Sequence, residues 1–482
     1  MEHNIQQQIE QLYKSWCAET PTHIQKMPAS GSDRQYYRVS SASKHAIAAY
    51  NTHQQENQTF IDYTNHFEQQ GVAVPTIYAQ DLEANLYLQQ DLGNQTLLHR
   101  LEQQRGKEIA LPSIVRNHYE QALAKLAYLQ TKGSEGLAVE KHHKPAAFNQ
   151  QNMLWDLNYF KYCFLKPSKV QFEEQLLEQD FHTLADYLDE ECDYFMFRDF
   201  QARNIMLLQE EIYFIDYQGG KKGPLQYDVV SLLFQAKANL QPQEREDLLD
   251  YYITQVSQYI TIDATAFRAK YYAFVLLRTL QVLGAYGYKG YFEQKKHFLE
   301  SIPYALQNLK WLLQEIQFEV QVPHLMIYLT EMVEYGLEQQ HKKEMKADRL
   351  TVRVQSFSYK NGIPPDPSGN GGGFVFDCRF LHNPGRYQPY KKLTGRDAPV
   401  IEFLQKDSTI DAFIAQIKPV LAEAIENYIE RGFASLCINF GCTGGQHRSV
   451  YSADAIAKFI QDNYSVSLLL HHREQERKNW KN

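Results

Sequence analysis

Cysteine is scarce in this sequence, and long apolar runs are missing from it. Its six cysteines show no paired or metal-ligand spacing, which argues against a disulfide framework or a structural zinc site and predicts reduced thiols. No stretch approaches the roughly 18 to 20 apolar residues of a membrane helix. Residues 1–6 are polar and lack the apolar run of a signal sequence. We therefore expect a cytoplasmic protein with no membrane partner.

The chain is too long for a single hydrophobic core. It has 482 residues, of which 44% are hydrophobic and 13% aromatic, enough to build two or three cores. Charge is divided unevenly along it. Residues 350–482 carry 16 Lys and Arg against 13 Asp and Glu, a formal +3, whereas residues 1–349 carry 33 against 44, or −11. We expect two globular parts, the second of them mildly basic.

Three polar residues near the middle of the chain have the spacing of a phosphoryl-transfer site. Asp199 is followed by Asn204 and then by Asp216. In such sites one carboxylate accepts the proton of the attacking hydroxyl, while an Asn and an Asp hold the Mg²⁺ ions that bridge the ATP phosphates. The spacing predicts a kinase in which Asp199 is the catalytic carboxylate and Asn204 and Asp216 are the metal ligands.

The apolar pattern around these residues favours the same interpretation. Residues 193–197, 205–208 and 212–215 are typical of three short strands, which would place the polar residues at strand ends and turns. A buried hairpin without catalytic function has the same pattern, and one Asp and one Asn at this spacing also occur by chance. The Asp-Tyr-Gln sequence at 216–218 favours the kinase.

The same region resembles a known family. The motifs that carry the resemblance are Arg198-Asp199, Asn204, Asp216-Tyr217-Gln218, Gly223-Pro224 and Tyr227-Asp228. They resemble the aminoglycoside-phosphotransferase-like kinases and, among these, the anomeric kinases of N-acetylmuramate and N-acetylglucosamine in cell-wall recycling. The resemblance implies an α+β bilobal protein-kinase-like fold, with an N-lobe at 1–92 and a C-lobe at 93–340. It also implies ATP and Mg²⁺ as cofactors and a small sugar as substrate.

The resemblance assigns a nucleotide site in the N-lobe. The loop at 29–34 contains Gly31 and Ser32. Glycine permits a positive φ, so free backbone amides of this loop could face the ATP phosphates; an ordinary hairpin turn is the alternative. Gln89 and Gln90 would present backbone groups to adenine at the hinge between the lobes.

Two departures from the family pattern affect this assignment. Phe197 stands where a His usually precedes the Arg-Asp pair, and Tyr50 ends the strand on which protein kinases carry a lysine for the α- and β-phosphates. Arg38 or Lys44 would then supply the ATP-binding cation. An inactive pseudo-kinase stays open as an alternative.

Several other charged residues are expected to have structural rather than catalytic roles. Asp228 is expected to support the catalytic loop by bonding backbone amides. Glu56 and Glu68 could pair with an N-lobe cation, although solvated surface positions are favoured. Lys221 and Lys222 are interpreted as exposed charge rather than as a phosphate clamp.

Residues 155–162 are the clearest candidates for substrate recognition. They combine aromatic side chains with Asp156 and Asn158 on an expected C-lobe helix, and such a combination is typical of sugar sites. An aromatic stripe is more often part of a core, which is the favoured interpretation.

A second group of functional residues lies far downstream. The apolar strand at 434–440 leads into a glycine-rich turn, and a helix is expected from about Ser449 to Asp462. A strand, a turn and a helix N-terminus direct several backbone N–H groups at one point, where an anion can bind. Arg448 adds a planar donor fork suited to phosphate. Cys442 and Arg448 also match the Cys-x5-Arg arrangement of cysteine phosphatases, an alternative that stays open.

Residues 350 to about 478 resemble the C-terminal domain of the RNase adapter protein RapZ. The segments in common are 357–364, 376–384, 394–400, 439–450 and 471–473. The resemblance implies a separate α/β domain with a strand-loop-helix phosphate site that senses glucosamine-6-phosphate and binds small RNA. It assigns the phosphate loop to Cys442, Thr443, Gly444, Gly445, His447, Arg448 and Ser449, with Asp377, Arg379 and His382 as further ligand candidates on a neighbouring strand end.

This second resemblance has limits of its own. Gln446 stands where the family has Lys, and no Gly-x4-Gly-Lys-Ser/Thr motif of the adapter's own N-terminal half is present. The charged segment 341–349 is expected to link the two parts. The modest basic excess after residue 350 suits a solvated tail as well as an RNA contact.

Three hypotheses follow from these motifs. The leading one is an ATP- and Mg²⁺-dependent amino-sugar kinase with a fused sugar-phosphate-binding domain. The others are a regulatory RNA-binding adapter with a degenerate kinase lobe, and a kinase joined to a Cys442-dependent phosphatase. The expected partners are a sugar substrate, a sugar phosphate and, where the adapter role applies, a small RNA; assembly into a homo-oligomer is left open.

Overall fold

The computed structural model describes residues 2–28, 34–105, 110–190, 193–366, 368–369 and 373–477. The chain divides into two compact units, Met1–Gly336 and Leu337–Asn482. The segment expected to act as a linker, 341–349, forms the last turns of a long helix. None of the helices in the described ranges combines the length and the apolar character needed to cross a bilayer.

Unit 1 begins with an antiparallel sheet of five strands. Its order is β1-β2-β3-β5-β4. The elements are α1 Glu2–Cys17, β1 His23–Lys26, β2 Gln35–Ser40, β3 His45–Tyr50, α2 Gln54–Gln69, β4 Ile77–Asp81 and β5 Leu86–Gln89. Alternate side chains of β2, among them Tyr37 and Val39, are buried with Ile9 and Tyr13 of α1, as the two-residue period of a strand requires. This part is the expected N-lobe.

The rest of unit 1 is mostly helical. Its helices are α3 Leu97–Arg105, α4 Ser113–Gln130, α5 Gln150–Phe160, α6 Glu174–Leu188, α7 Leu225–Leu233, α8 Pro242–Val256, α9 Ala264–Gly287, α10 Lys296–Leu299 and α11 Ile302–Glu315. The last helix, α12 Pro323–Arg349, begins in unit 1 and ends in unit 2. Helix α9 starts where the Asp263 side chain accepts hydrogen bonds from the amides of Thr265 and Ala266. It packs closely on the turn after α5: a Cβ on Gly287 would lie 2.1 Å from the Cys163 carbonyl oxygen.

Two short ribbons lie between α6 and α7. Strand β6 (Phe195–Met196) pairs with β9 (Lys221–Lys222), and β7 (Ile205–Leu208) pairs with β8 (Glu211–Phe214). The strands predicted from the apolar pattern are therefore present, with ends that differ by one or two residues. The ribbons position the loop at 197–204 and the residues that follow β8.

Unit 2 is a separate α/β domain with a parallel sheet. Its order is β11-β12-β10-β13. The elements are β10 Thr351–Ser358, β11 Phe374–Asp377, α13 Ala398–Asp407, α14 Ile410–Glu430, β12 Ser435–Cys442, α15 Arg448–Asn463, β13 Ser467–His472 and α16 Arg473–Arg477. Val352 and Val354 of the sheet are buried in one core with the isoleucine stripe of α14, which repeats at helical spacing from Ile410 to Ile429.

Both parts of the predicted fold class are confirmed: a protein-kinase-like α+β unit followed by a separate α/β unit. Because the strands of unit 2 are parallel, their carboxyl ends lie at the same edge of the sheet. Ser358 is paired with Cys442, and Asp377 with Gly441. This edge is where a parallel sheet commonly binds its ligands.

Candidate active site and candidate phosphate-binding loop

The three residues predicted from the kinase spacing lie together in unit 1. Asn204 Nδ2 donates to the Asp199 carbonyl oxygen at 2.9 Å and to Asp216 Oδ2 at 3.2 Å. Asn204 ends the short turn before β7, and Asp216 follows β8, so the β7–β8 ribbon brings them together. Both of these bonds use the amide nitrogen of Asn204, so its amide oxygen takes no part in them.

The loop at 197–204 is held by a buried carboxylate. Asp228 on α7 accepts hydrogen bonds from the amides of Phe197 at 2.7 Å and Arg198 at 2.8 Å. Gln130 donates to the same carboxylate at 2.9 Å. Complete burial raises the pKa of Asp228 to about 7, although these donors oppose the rise. Asp228 thus fixes the backbone of this loop, including Arg198, whose φ of 77° lies in the left-handed region.

Asp199 is open to solvent and is paired with an arginine from a distant helix. Arg278 of α9 donates from Nη2 to Asp199 Oδ1 at 3.0 Å, and 47% of the Asp199 side chain is exposed. Desolvation by the surrounding protein would raise the pKa of Asp199, but the positive charges of Arg278, Arg198 and Arg203 hold it below its usual value. The carboxylate is thus ionised and accessible, as a proton acceptor has to be.

Sequence reasoning missed Arg278 entirely. It lies in an apolar helical run, 79 residues after Asp199, and it is buried. Its guanidinium also lies over the ring of Tyr227, 5.4 Å from the ring centre. A single charged residue within the apolar stretch from residue 271 to 287 was the signal that could have drawn attention to it, because a buried charge requires a partner.

The N-lobe contributes a second charged group. Arg34, whose side chain is only 3% exposed, donates to Glu56 Oε1 of α2 at 2.7 Å. Gln218 Nε2 donates to the same Glu56 oxygen at 3.2 Å and to Asp216 Oδ1 at 3.0 Å. The preference for a solvated Glu56 was therefore wrong, because a desolvated arginine holds it. Glu68 is exposed, and it accepts a hydrogen bond from the Thr76 hydroxyl.

The two cations named as substitutes for the missing lysine lie elsewhere. Arg38 donates to both carboxylate oxygens of Asp91, at 2.7 and 2.9 Å, and also contacts the Gly93 carbonyl oxygen. Its charge is therefore neutralised at the hinge, which does not fit the predicted contact with ATP phosphates. Lys44 is exposed in the turn between β2 and β3. Arg34 is the N-lobe cation that pairs with the glutamate of α2.

The hinge residues lie at the end of β5. Gln89 is buried, and its Oε1 accepts no hydrogen bond from any residue that the structure describes. The Gln90 amide donates to the Thr76 carbonyl oxygen at 2.9 Å. Gly31 and Ser32, also assigned to the nucleotide, lie outside the described residues.

Lys221 and Lys222 differ although they are neighbours in β9. Lys222 donates to the exposed Asp193 at 2.9 Å, whereas Lys221 is only 9% exposed. Successive side chains of a strand point to opposite faces, which explains the difference. The interpretation of both lysines as exposed charge was wrong for Lys221.

The predicted phosphate loop of unit 2 joins the end of β12 to the start of α15. The Cys442 sulfur accepts a hydrogen bond from the Gly445 amide at 3.2 Å and lies 3.2 Å from the Ser449 hydroxyl. Burial would raise the pKa of the Cys442 thiol, but Ser449, the amides of the loop and the Arg448 charge hold it below its usual value. The loop thus favours a negative charge at its centre.

Arg448 links this loop to the segment after β11. It is only 3% exposed, and its Nη1 donates to the carbonyl oxygens of Arg379 at 2.9 Å and Leu381 at 2.8 Å. Its Nε is buried and has no hydrogen-bond partner among the described residues. Desolvation lowers the pKa of Arg448. The Nε donor of this guanidinium is therefore not used by the part of the chain that the structure describes.

The remaining residues of the loop have structural partners. The Ser358 hydroxyl donates to the Thr443 carbonyl oxygen at 2.7 Å, and the His447 ring bonds the Tyr390 carbonyl oxygen at 2.9 Å. Gly445 has a φ of 63°, and a Cβ there would lie 2.5 Å from Glu474 Cγ. A Cβ on Gly444 would meet nothing within 4 Å.

The other ligand candidates separate into two groups. Arg379 and Asp377 form an exposed ion pair with each other at 2.6 Å, beside the strand that leads into the loop. The His382 ring instead contacts the Asp407 carbonyl oxygen at 2.8 Å and the Tyr387 hydroxyl at 3.1 Å. Asp377 and Arg379 are thus close to the loop, whereas both ring nitrogens of His382 are used elsewhere.

Gln446, which departs from the family pattern, also has a structural role. Its Nε2 donates to the carbonyl oxygens of Lys391 at 2.9 Å and Leu393 at 2.7 Å. This amide therefore holds the segment before α13 against the loop.

Two protein families match the chain. Residues 23–265 match the family described as the phosphotransferase enzyme family, and residues 350–476 match the RapZ C-terminal domain. A nucleotide-binding protein of Cereibacter sphaeroides is 41% identical over 133 residues, which are 27% of this chain and 42% of that protein. One of Thermosipho africanus is 39% identical over 126 residues, 26% of this chain and 43% of that protein. The chain spans about two fifths of the length of these curated relatives.

Several solved kinase structures are also similar. A spectinomycin phosphotransferase in complex with ADP and spectinomycin has 14% identity and a TM-score of 0.42, covering 68% of this chain and 98% of that one. A choline/ethanolamine kinase family protein from Mesorhizobium loti has 12% identity and a TM-score of 0.43, covering 68% and 99%. An amicoumacin kinase in complex with AMP-PNP, Ca²⁺ and Ami has 11% identity and a TM-score of 0.44, covering 62% of this chain and 92% of that one.

Proposed function

Because the chain belongs to the phosphotransferase enzyme family through residues 23–265, we propose that it is an ATP-dependent kinase of a sugar hydroxyl. The acceptor is an amino sugar such as N-acetylmuramate or N-acetylglucosamine. The observation that carries this proposal is the contact of Asn204 with both Asp199 and Asp216, with Arg278 on the Asp199 carboxylate. This is the set of groups that phosphoryl transfer to a hydroxyl requires.

Asp199 is the proton acceptor in this proposal. Its carboxylate is ionised because Arg278 and its neighbours lower its pKa, and its exposure leaves room for an acceptor hydroxyl. Arg278 orients the carboxylate through Oδ1 and leaves Oδ2 for the proton. Asp228 fixes the loop backbone, so that Asp199 keeps its position during proton transfer.

The donor set around Asp216 fits Mg²⁺. The Asp216 carboxylate and the neighbouring amide oxygen of Asn204 would hold the ion, since both are oxygen ligands of the kind that Mg²⁺ prefers. Burial raises the pKa of Asp216, and a bound cation would oppose this rise. A metal ion bound here together with ATP would neutralise negative charge on the ATP phosphates. Gln89 and Gln90 would bind adenine at the hinge, and the pair of Arg34 with Glu56 takes the place of the usual lysine–glutamate pair.

The test is ADP release by the full chain with ATP, Mg²⁺ and either sugar. We expect turnover that Asp199→Asn reduces by about 10³-fold or more, since general-base catalysis contributes roughly 10²- to 10⁴-fold. Asp193→Asn is the matched control, because that side chain is 92% exposed. Equal turnover by Asp199→Asn and the parent, or no sugar-dependent ADP release, would overturn the proposal and favour a degenerate kinase lobe.

We also propose that unit 2 binds the phosphate group of a sugar phosphate, with glucosamine-6-phosphate as the first candidate. The proposal is supported by the amide and hydroxyl donors around Cys442 and by the unused Nε of Arg448. Calorimetric titration of the full chain should give binding that Arg448→Gln weakens about tenfold or more, as expected for a charged hydrogen bond. Arg431→Gln, at an exposed position, is the control. If Arg448→Gln binds the sugar phosphate as tightly as Arg431→Gln does, the proposed phosphate site is wrong. Retardation of a small RNA by the chain would instead favour the adapter role.

One observation favours a second candidate for the same loop, a cysteine phosphatase. The pKa of the Cys442 thiol is lowered, in part by the charge of Arg448, whose Nε bonds none of the described residues. The thiolate would attack phosphorus, the P–O ester bond would break, and the alcohol would leave with a proton taken from solvent. Water would then attack the phosphocysteine, return a proton to solvent, release inorganic phosphate and restore the thiolate. Hydrolysis of an aryl phosphate that Cys442→Ser abolishes and Cys437→Ser leaves unchanged would support it. No hydrolysis by the parent would exclude it.

A further inference from the structure

Three cations and two carboxylates surround the proposed acceptor position. The cations are Arg198, Arg278 and Lys221, and the carboxylates are Asp156 and Asp199. Arg278 is paired with Asp199 at 3.0 Å. Arg198 lies 3.7 Å from Asp156, too far for a hydrogen bond. Each of these two carboxylates is therefore already next to an arginine, and Lys221 is a further cation of the group.

Lys221 is the cation left over. Its side chain is buried along most of its length, and no hydrogen bond or ion pair joins its ammonium group to the described residues. Desolvation lowers the pKa of Lys221, the charge of Arg198 lowers it further, and only Asp156 opposes them. A largely buried cation without a paired anion is costly, so such a position favours an anion from outside the chain.

Two oxygen atoms on α5 also lack partners, one of them on the Asp156 carboxylate that faces Arg198. Asp156 Oδ2 and Asn152 Oδ1 are buried, and no hydrogen bond joins them to the residues that the structure describes. The residues are four apart on α5, so they share one face of the helix. Oxygens of this kind accept hydrogen bonds from the hydroxyl and amide N–H groups of a sugar. The face therefore offers acceptors beside an unmatched positive charge.

We propose that Lys221 and Arg198 form a subsite for a carboxylate on the acceptor, with Asn152 and Asp156 accepting hydrogen bonds from its neutral groups. This inference rests on the proposed kinase function and narrows its substrate class to acidic amino sugars. Arg198 is suited to the role because its backbone is fixed by Asp228 and its side chain is only loosely paired. A guanidinium and an ammonium together can bind both oxygens of one carboxylate.

N-acetylmuramate and N-acetylglucosamine are a matched pair of probes, because the first carries a lactyl carboxylate that the second lacks. The parent chain should have a kcat/KM about tenfold or more higher for N-acetylmuramate, mainly through KM, as expected when a charged hydrogen bond is added. Lys221→Met should collapse this ratio towards one. Lys222→Met is the control and should keep the ratio, because Lys222 points to the other face and pairs with Asp193.

The possible results distinguish a failure of the carboxylate subsite from a failure of the proposed kinase function. Turnover of both sugars at equal kcat/KM by the parent would overturn the subsite and leave the kinase intact, and this comparison needs no variant to fold. A ratio that survives in Lys221→Met would overturn it as well. No turnover of either sugar would overturn the proposed kinase function, and the subsite with it.

Discussion

Arg278 donates a hydrogen bond of 3.0 Å to the Oδ1 atom of Asp199, across 79 residues of sequence. The guanidinium is buried on α9, whereas the carboxylate is half exposed on its loop. Protein kinases place a carboxylate in this position for proton transfer, and here its charge state depends on a residue from a different element. The first prediction follows from this pair.

Arg278→Met should make catalysis more sensitive to acid. The Arg278 charge lowers the pKa of Asp199, so its loss raises that pKa, and the carboxylate is protonated at a higher pH. The acidic limb of the kcat/KM profile should move to higher pH, and the plateau should fall about ten- to a hundredfold. Arg268→Met, on the same helix but paired with Glu246 and Asp250, is the control. An unmoved acidic limb would contradict the prediction.

Asp228→Asn should change how the stability of unit 1 depends on pH. Burial raises the pKa of Asp228 to about 7, above the unfolded value of about 3.9. Between these values the folded state binds the extra proton, so the parent loses up to about 1.4 kcal/mol of unfolding free energy per pH unit as pH rises. The Asn variant lacks this term. Its stability relative to the parent should therefore rise from pH 4.5 to pH 7.

Tryptophan fluorescence can follow this transition, because Trp16, Trp155 and Trp311 lie in unit 1. At low pH the Asn variant should be the less stable of the two by about 1–3 kcal/mol, since its NH2 group cannot accept the backbone hydrogen bonds that Asp228 accepts. A constant stability difference across the range would show that Asp228 stays ionised in the folded state.

Arg34→Met should weaken the use of ATP. Arg34 pairs with Glu56, which Gln218 connects to Asp216. Removal of the cation leaves Glu56 without a counter-charge near the proposed metal ligands, and we expect a loss of about tenfold in kcat/KM for ATP. The double variant with Glu56→Gln should lose less than the product of the two single losses, because the residues act as a pair. Strictly multiplicative losses would show that they act independently.

Gly445→Ala and Gly444→Ala should differ sharply. Gly445 has a φ of 63°, and a Cβ there would lie 2.9 Å from the Ser358 amide nitrogen, whereas a Cβ on Gly444 would meet nothing within 4 Å. The first substitution should cost about 2 kcal/mol of stability in unit 2 through backbone strain alone. It should also weaken sugar-phosphate binding. Thermal unfolding and calorimetric titration measure both effects, and similar losses for the two variants would contradict the prediction.

The fold class, and the closeness of the residues within each candidate site, could be predicted because their signals are short in sequence. Asp199, Asn204 and Asp216 fall within one stretch of two ribbons, and residues 442–449 join one strand directly to one helix. Spacing alone then brings these residues together. The fold class followed in the same way, from motifs whose families each have one architecture.

The partners of these residues could not be predicted, because they depend on distant packing. Arg278 meets Asp199 only through the packing of α9, and Arg34 meets Glu56 only when the sheet and α2 are in place. Arg38 was predicted to bind ATP because it is a cation of the N-lobe, but its side chain is paired with Asp91 at the hinge. Lys221 was misinterpreted because a strand of two residues gives no period from which burial can be read.

The guanidinium of Arg448 donates from one nitrogen to the carbonyl oxygens of Arg379 and Leu381, while its Nε has no partner within the described ranges. An occupant that draws this side chain towards itself would loosen both tethers at once. The backbone that follows β11 should therefore shift when an anion binds in the loop at 442–449. A spectroscopic label near residue 380 would report that binding from outside the loop.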